Sequence, residues 1–161
     1  MKRLTYTALG EEVTDKLGRA LADLLPAGTT VALCGTLGAG KTRLVQAIAE
    51  AVGVDRNSAV SPTFVLVQEY YGRRTIYHID AYRLHSEEEF LELGPEEYFE
   101  SDGIVLIEWA DRVRGCLPLE LIEIHFEVTG EKSRSFEIVA VGGRYEPVID
   151  ALSDAIDTTC R

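Results

Sequence analysis

Residues 35–42 read Gly-Thr-Leu-Gly-Ala-Gly-Lys-Thr, the P-loop pattern of Gly, four residues, Gly, Lys and Ser or Thr that binds phosphate. An apolar run at 31–34 precedes this loop and predicts a short buried strand. After the loop, residues 41–52 carry apolar side chains at three- and four-residue spacing, which predicts an amphipathic helix. Strand, glycine loop and helix therefore follow one another in the order that a phosphate-binding loop requires.

The residue types of this loop explain how it would bind phosphate. Glycines at 35, 38 and 40 let successive backbone N–H groups approach phosphate oxygens, where a Cβ would obstruct them. The helix that begins near Lys41 adds unpaired N–H groups and the positive end of its dipole. The Lys41 ammonium can reach the β- and γ-phosphates, and the Thr42 hydroxyl can bind Mg²⁺. We therefore predict nucleotide binding here.

Composition narrows the class of protein. The 161 residues, 46% of them hydrophobic, favour one globular domain over residues 1–161. No apolar run reaches the ~18 residues that span a bilayer, so no membrane association is expected. Three cysteines without metal-ligand spacing indicate a reduced, cytoplasmic protein. The net charge of −11 argues against direct binding of nucleic acid, although a protein partner could hold the nucleic acid.

The rest of the chain alternates between helix and strand patterns. We predict helices at residues 10–25, 86–93, 95–100 and 144–156. We predict strands at residues 65–71, 75–80, 103–109, 121–128 and 136–141. In the helix after Ser86, the side chains of Phe90, Leu91 and Leu93 are expected to face inward. The pattern predicts an α/β, P-loop NTPase-like three-layer sandwich: a mainly parallel central sheet with antiparallel additions and helices on both faces.

Two carboxylates follow predicted strands. Asp80 ends a β-rich run; the alternative is a solvated acid at a strand end. Glu108 follows four apolar residues at the carboxyl end of a predicted central strand, where parallel sheets place their ligands. Because burying a lone carboxylate is very costly, Glu108 must be exposed at a site mouth or paired. Both are candidates for the magnesium-side carboxylate that phosphoryl transfer requires.

Other polar residues have weaker patterns. Ser61 and Thr63 lie in a Pro-containing loop and could sense a γ-phosphate or help hold a metal, although such residues commonly form turns. His78 has no partners at metal-ligand spacing and is expected to be structural. Strand alternation would turn Trp109 to the face opposite Glu108, unless the strand has already ended.

Four motifs, in order and spacing, resemble the bacterial TsaE (YjeE) family, a component of tRNA threonylcarbamoyladenosine synthesis. They are Gly35–Thr42, Ser61–Phe64, His78–Leu84 and Glu108–Ala110. The family is short and single-domain, so the resemblance covers essentially the whole chain. The family often has Asp in place of Thr36 and Thr in place of Arg43.

The resemblance implies roles for individual residues. Lys41 would bind phosphate, Thr42 and Glu108 would hold Mg²⁺, and Asp80 would be a Walker B-like carboxylate that also serves the metal. Ser61 and Thr63 would lie in a switch-like loop, so the implied catalytic residues are Glu108, Asp80, Lys41 and Thr63. The residues expected to contact ATP or ADP are Gly35, Leu37, Gly38, Ala39, Gly40, Lys41, Thr42, Arg43, Thr14 and Arg134, with Lys132 as an alternative basic residue.

The resemblance also implies partners. The family's ATPase is slow alone and acts with TsaD and TsaB, permitting multiple turnover in the modification of adenosine 37 in tRNAs that read ANN codons. Such a protein would contact tRNA only through the complex and would not itself transfer the carbamoyl group.

Three other functions remain open from the residues. A small-molecule or nucleoside kinase shares the P-loop but needs an acceptor pocket and usually an arginine-bearing lid, for which Arg112 and Arg114 are the nearby candidates. A GTPase would carry an Asn-Lys-x-Asp motif, which the sequence lacks. A non-catalytic nucleotide-sensing adaptor would have no need of Asp80 and Glu108.

Overall fold

A computed structural model describes residues 2–36, 38–55 and 67–159 of the chain, the last three by their backbone alone. The strands are β1 (Lys2–Ala8), β2 (Thr30–Gly35), β3 (Val67–Tyr71), β4 (Thr75–Asp80), β5 (Ile104–Glu108), β6 (Leu121–Val128) and β7 (Arg134–Val141). The helices are α1 (Glu11–Leu24), α2 (Lys41–Ala51), α3 (Glu87–Glu92), α4 (Pro95–Phe99) and α5 (Glu146–Thr159). A kinked 3-10 helix spans Ala110–Cys116.

The described strands form one seven-stranded sheet in the order β1-β7-β6-β2-β5-β4-β3. Its four central strands, β6, β2, β5 and β4, are parallel to one another. Antiparallel strands extend the sheet at both edges, β7 and β1 on one side and β3 on the other. The predicted α/β sandwich with a parallel centre and antiparallel additions is therefore confirmed.

Two hydrophobic layers cover the sheet. On one face, α1, α2 and α5 bury Leu17, Leu44 and Leu152 in a cluster with Leu106 of β5. On the other face, Phe90 of α3 and Val113 of the 3-10 helix pack with Ile107. Consecutive residues of β5 thus enter opposite layers, and every residue of this strand is buried. That explains its continuous apolar sequence, as predicted for a strand buried on both faces.

Helix α1 lies unusually close to α2. A Cβ added to Gly18 would lie 2.4 Å from the Cβ of Ala47, so only a glycine allows this approach. At their amino-terminal ends, Glu11 and Thr14 of α1 line the same cleft as Gly40 before α2.

Three segments differ from the sequence-based expectations. Leu91 is 48% exposed, so its predicted inward orientation was wrong: it lies one residue around the short helix α3 from buried Phe90 and faces away from the sheet. Strand β1 had no predicted counterpart, nor did the 3-10 helix after β5.

Across residues 2–36, 38–55 and 67–159, no helix combines the length and apolar character needed to cross a membrane.

Candidate functional site

The phosphate-type loop is preceded by a strand and followed by a helix, as predicted from the sequence. Strand β2 ends at Gly35 and helix α2 begins at Lys41. Gly38 and Gly40 have φ values of +79° and +101°, which side chains with a Cβ adopt only with strain. Gly40 is the N-cap of α2 and provides no side-chain hydrogen bond to the helix. The helix therefore begins with its dipole and backbone N–H groups directed at the loop.

Lys41 is buried against this loop, with 4% of its surface exposed. Its Nζ donates hydrogen bonds to the carbonyl oxygens of Gly35 at 2.7 Å and Thr36 at 2.9 Å. Nζ also lies 3.9 Å from the centroid of the Trp109 ring, within cation–π range. Burial lowers the pKa of the Lys41 ammonium from its ordinary value of 10.5, and the negative charge of Glu108 opposes that shift.

Glu108 lies at the carboxyl end of β5 and is 3% exposed. The Thr42 hydroxyl donates to its two carboxylate oxygens, at 3.0 Å and 3.1 Å. On another side, His78 Nε2 lies 2.5 Å from Glu108 Oε2. The carboxylate is thus buried and paired, one of the two arrangements predicted for it.

Asp80 lies beside Glu108 because the two residues are register partners on neighbouring parallel strands. Asp80 is 7% exposed, and its Oδ1 accepts a hydrogen bond from the Tyr82 backbone N–H at 2.9 Å. With the Thr42 hydroxyl, the strand ends present oxygen donors only, the ligand type that Mg²⁺ prefers. Within the described ranges, no cluster of three or more His, Cys, Asp or Glu side chains forms a metal-binding group, so protein side chains alone would leave a cation here incompletely coordinated. The donor set therefore suits a cation that keeps several waters and binds phosphate, as Mg²⁺ does.

Trp109 marks the end of β5. It has φ 59° and ψ 37° and is the one non-glycine residue with a positive φ among the described residues. This left-handed conformation breaks the strand alternation, and the indole packs against Lys41 and against Tyr82, whose ring centroid is 4.9 Å away. The strand has therefore already ended at Trp109, the exception that the sequence argument allowed.

A cleft of about 340 Å³ opens beside the phosphate-type loop. Its walls come from the start of α1, from the loop and α2, from the turn between β6 and β7, and from the start of β7. They include Thr14, Gly40, Arg43, Lys132, Arg134 and Phe136. The Arg134 guanidinium donates to the carbonyl of Gly38 at 3.4 Å and to that of Ser133 at 2.8 Å. The structure thus brings Thr14 and Arg134 to the loop, although they lie far from it in sequence.

Arg43 joins α2 to α1 at this cleft. Its guanidinium donates to Asp15 Oδ2 at 3.1 Å and lies 3.6 Å from Glu11 Oε2. Its Nε is buried and has no hydrogen-bond partner among the described residues. Arg43 therefore lines the cleft, but its guanidinium pairs with acidic side chains in the first turns of α1.

Comparison with known proteins identifies the family. A family model described as "TsaE: Threonylcarbamoyl adenosine biosynthesis protein TsaE" matches residues 9–136. The chain belongs to the TsaE family. The match includes the loop, the carboxylates and the cleft residues up to Phe136.

Individual relatives agree with this assignment along nearly the full chain. A Bacillus subtilis protein named tRNA threonylcarbamoyladenosine biosynthesis protein TsaE is 37% identical over 154 residues, which are 95% of this chain and 96% of that protein. The Haemophilus influenzae protein of the same name is 34% identical over 160 residues, 96% of this chain and 100% of that protein. A crystal structure of Bacillus subtilis YdiB superposes with a TM-score of 0.81 at 33% identity, covering 95% of each chain.

In this TsaE-family chain, most of the predicted site residues meet in space. Among the described loop residues, Lys41 contacts Gly35 and Thr42 contacts Glu108. Arg134 contacts Gly38, while Ala39, Gly40 and Arg43 line the cleft. Leu37, Ser61 and Thr63 fall outside the described residues, so their predicted roles stay predictions. Sequence reasoning missed His78 as a neighbour of the site. Its position two residues before Asp80, on the same strand face, was the available signal.

Proposed function

We propose that this TsaE-family protein binds ATP with Mg²⁺ and slowly hydrolyses it to ADP and phosphate as part of tRNA N6-threonylcarbamoyladenosine synthesis. It acts with TsaD and TsaB and permits their multiple turnover, while the threonylcarbamoyl transfer belongs to its partners. The observation that carries this proposal is the contact between Thr42, next to the loop lysine, and the buried carboxylate of Glu108.

The loop supplies the phosphate contacts. The left-handed glycines bring backbone N–H groups together, and the amino-terminal end of α2 adds a positive dipole. Lys41 contributes a buried ammonium whose present hydrogen-bond partners are two loop carbonyls. A phosphate oxygen is a stronger acceptor than a carbonyl because it is charged, so Lys41 would favour the phosphates of ATP or ADP over these contacts.

The strand ends supply the metal ligands. Thr42, Glu108 and Asp80 would hold Mg²⁺, which when bound neutralises charge on the β- and γ-phosphate oxygens. Glu108 and Asp80 make this edge of the sheet rich in oxygen acceptors. Their burial beneath the loop limits access of bulk water, which strengthens electrostatic interactions at the site.

The cleft would receive the nucleoside part of ATP. Its walls combine the Phe136 ring with the polar side chains of Thr14 and Arg134, the mixture that small-molecule sites commonly use. Arg134, the first residue of β7, reaches the loop carbonyl of Gly38. It is therefore placed to contact a nucleotide between the phosphate loop and the cleft.

The protein's charge favours a partner-dependent role. A net charge of −11 opposes binding of free tRNA, and family membership indicates work on tRNA modification. Association with a TsaD–TsaB pair that itself holds the tRNA would explain how so acidic a protein works in tRNA modification. The acidic surface would then contribute to association with the proteins rather than with the nucleic acid.

The test is release of phosphate from Mg-ATP by the full chain, alone and mixed with TsaD and TsaB. We expect slow release alone, faster release in the mixture, and co-purification of the three proteins when nucleotide is present. A parallel incubation with candidate nucleosides and small acceptors tests the kinase alternative through the appearance of a phosphorylated product. Absence of phosphate release in every mixture would contradict the ATPase proposal and favour a nucleotide-sensing adaptor.

A further inference from the structure

We propose that His78 is a positioning residue for Glu108: its imidazole holds the carboxylate in the orientation that meets Thr42 and that Mg²⁺ binding requires. This inference rests on the proposed function, since it concerns how the same site holds its metal. The sequence alone predicts only a structural role for His78, without a role at the site.

The contact with Glu108 is direct and buried. His78 is 0% exposed and Glu108 is 3% exposed. His78 Nε2 lies 2.5 Å from Glu108 Oε2. Carboxylate oxygens accept hydrogen bonds, so this contact assigns the Nε2–H tautomer to His78, with Nε2 as the donor to Oε2. Hydrogen bonds to charged groups are the strong ones, and this one lies where water cannot replace it.

Two donors hold the carboxylate from different elements. His78 is on β4, beside β5, whereas the Thr42 hydroxyl comes from the first turn of α2 and contacts both carboxylate oxygens. Were the imidazole removed, Oε2 would lose its donor on the sheet side. The side chain could then rotate towards other buried donors and away from the Thr42 hydroxyl.

A third residue fixes the imidazole itself. The Tyr70 hydroxyl lies 2.9 Å from His78 Nδ1, and Tyr70 is 5% exposed on the neighbouring strand β3. The same hydroxyl also lies 2.5 Å from Gln68 Oε1 on β3, so Tyr70 is itself held in place beside the imidazole. Both ring nitrogens of His78 are therefore engaged, and the ring plane is set by contacts on opposite edges.

A purely structural His78 would behave differently. If the ring only filled space between β3 and α2, substitutions would lower the stability of the fold without changing how the protein uses Mg²⁺. A residue that orients a metal ligand instead changes metal affinity, by about 10–100-fold in comparable sites. The dependence of nucleotide binding on Mg²⁺ therefore separates the two roles.

The experiment uses a matched pair of variants of the full chain. His78→Gln keeps an N–H donor near the position of Nε2, whereas the side chain of His78→Asn is too short to reach Glu108. Ile79→Ala is the control, because Ile79 is equally buried on the same strand but packs in the opposite layer. Calorimetry measures ADP binding over a series of Mg²⁺ concentrations, and urea unfolding measures stability in the absence of nucleotide.

We expect His78→Asn to raise the half-saturating Mg²⁺ concentration by about 10–100-fold, and His78→Gln to recover most of that loss. Ile79→Ala should lower stability and leave the Mg²⁺ requirement unchanged. Equal Mg²⁺ requirements in wild type, His78→Asn and His78→Gln would overturn the positioning role while the proposed function stands. Failure of the wild-type protein to bind ADP in a Mg²⁺-dependent manner would overturn the proposed function, and this inference with it.

Discussion

The hydroxyl of Thr42 donates to both carboxylate oxygens of Glu108, at 3.0 Å and 3.1 Å, although the two residues are 66 positions apart in sequence. The contact joins the first turn of α2 to the carboxyl end of β5. Through it, the loop that would bind phosphate and the carboxylate that would hold Mg²⁺ form one connected unit. Much of what this protein is expected to do depends on that connection.

The first prediction concerns phosphate binding by Lys41. A ligand that binds only the folded chain stabilises it by about 2.7 kcal/mol at a hundredfold excess over Kd, which for a chain of this size is roughly 5–11 °C in Tm. Mg-ATP should raise the Tm of the wild type by such an amount, and Lys41→Ala should remove most of the shift. Lys2→Ala is the control, because Lys2 pairs with Asp150 on an exposed surface. Equal shifts in all three proteins would rule out the phosphate role of Lys41.

The second prediction uses Trp109, the single tryptophan of the chain. Its ring lies against the Lys41 ammonium, which we expect to contact phosphate. The fluorescence of the protein should change when ADP and Mg²⁺ are added together, and less when Mg²⁺ is added alone. An unchanged emission spectrum at saturating ADP would place the end of β5 away from the bound nucleotide.

A third prediction follows from the lowered pKa of Lys41. Because the unfolded chain holds this proton more tightly than the folded chain does, stability contributed by this site rises with pH between the lowered pKa and 10.5. Relative to Lys41→Met, the wild type should therefore gain free energy of unfolding as pH increases through that window. Urea denaturation of both proteins from neutral pH to pH 10 measures the difference. If the unfolding free energies of the two proteins changed with pH in parallel, the Lys41 ammonium would not be destabilised by its burial.

The sequence predicted those parts of the site whose signals are local. The loop has a fixed spacing, and Glu108 stands directly after an apolar strand, so both could be recognised without knowing the fold. Strand alternation places His78 on the same face of β4 as Asp80, but its contact with Glu108 also depends on the register between β4 and β5, which no local pattern specifies. The left-handed conformation of Trp109 likewise could not be predicted, because the sequence does not specify at which residue β5 ends.

Long-range pairing explains the remaining differences. Strand β1 is stabilised by pairing with β7, in which Tyr6 lies opposite Phe136, and its seven residues show only a short alternating pattern. Arg43 and Asp15 meet because α1 and α2 are packed together, a tertiary contact that charge patterning in either helix does not indicate. The exposed Leu91 shows that a six-residue helix is too short for its periodicity to define a buried face.

The fourth prediction tests the close approach of α1 and α2. In an exposed helix, replacing Gly by Ala would stabilise by about 1 kcal/mol. Here the added methyl group would meet the Cβ of Ala47 at 2.4 Å, and overpacking typically costs about 1–3 kcal/mol. Gly18→Ala should therefore lower the unfolding free energy and weaken ATP binding by displacing Thr14. The double variant Gly18→Ala, Ala47→Gly should recover part of both, and a stabilised single variant would contradict the packing described.

The last prediction separates binding of ATP from its use. Glu108→Ala should still bind ATP, because Lys41 and the glycine loop remain, but should hydrolyse it more slowly by about 100-fold or more, because Glu108 would hold the Mg²⁺ that neutralises charge on the phosphates during transfer. Glu108→Gln, which keeps the size of the side chain, should likewise retain ATP binding and lose hydrolysis. Lys41→Ala should fail in both binding and hydrolysis.

The most direct measurement is multiple-turnover formation of threonylcarbamoyladenosine in a reconstituted mixture of tRNA, TsaD, TsaB and this protein. We predict that the wild-type protein supports repeated turnover, and that mixtures with Glu108→Ala, or without the protein, do not progress beyond the first turnover. Wild-type turnover with Glu108→Ala, or undiminished turnover when the protein is omitted, would contradict the assigned role.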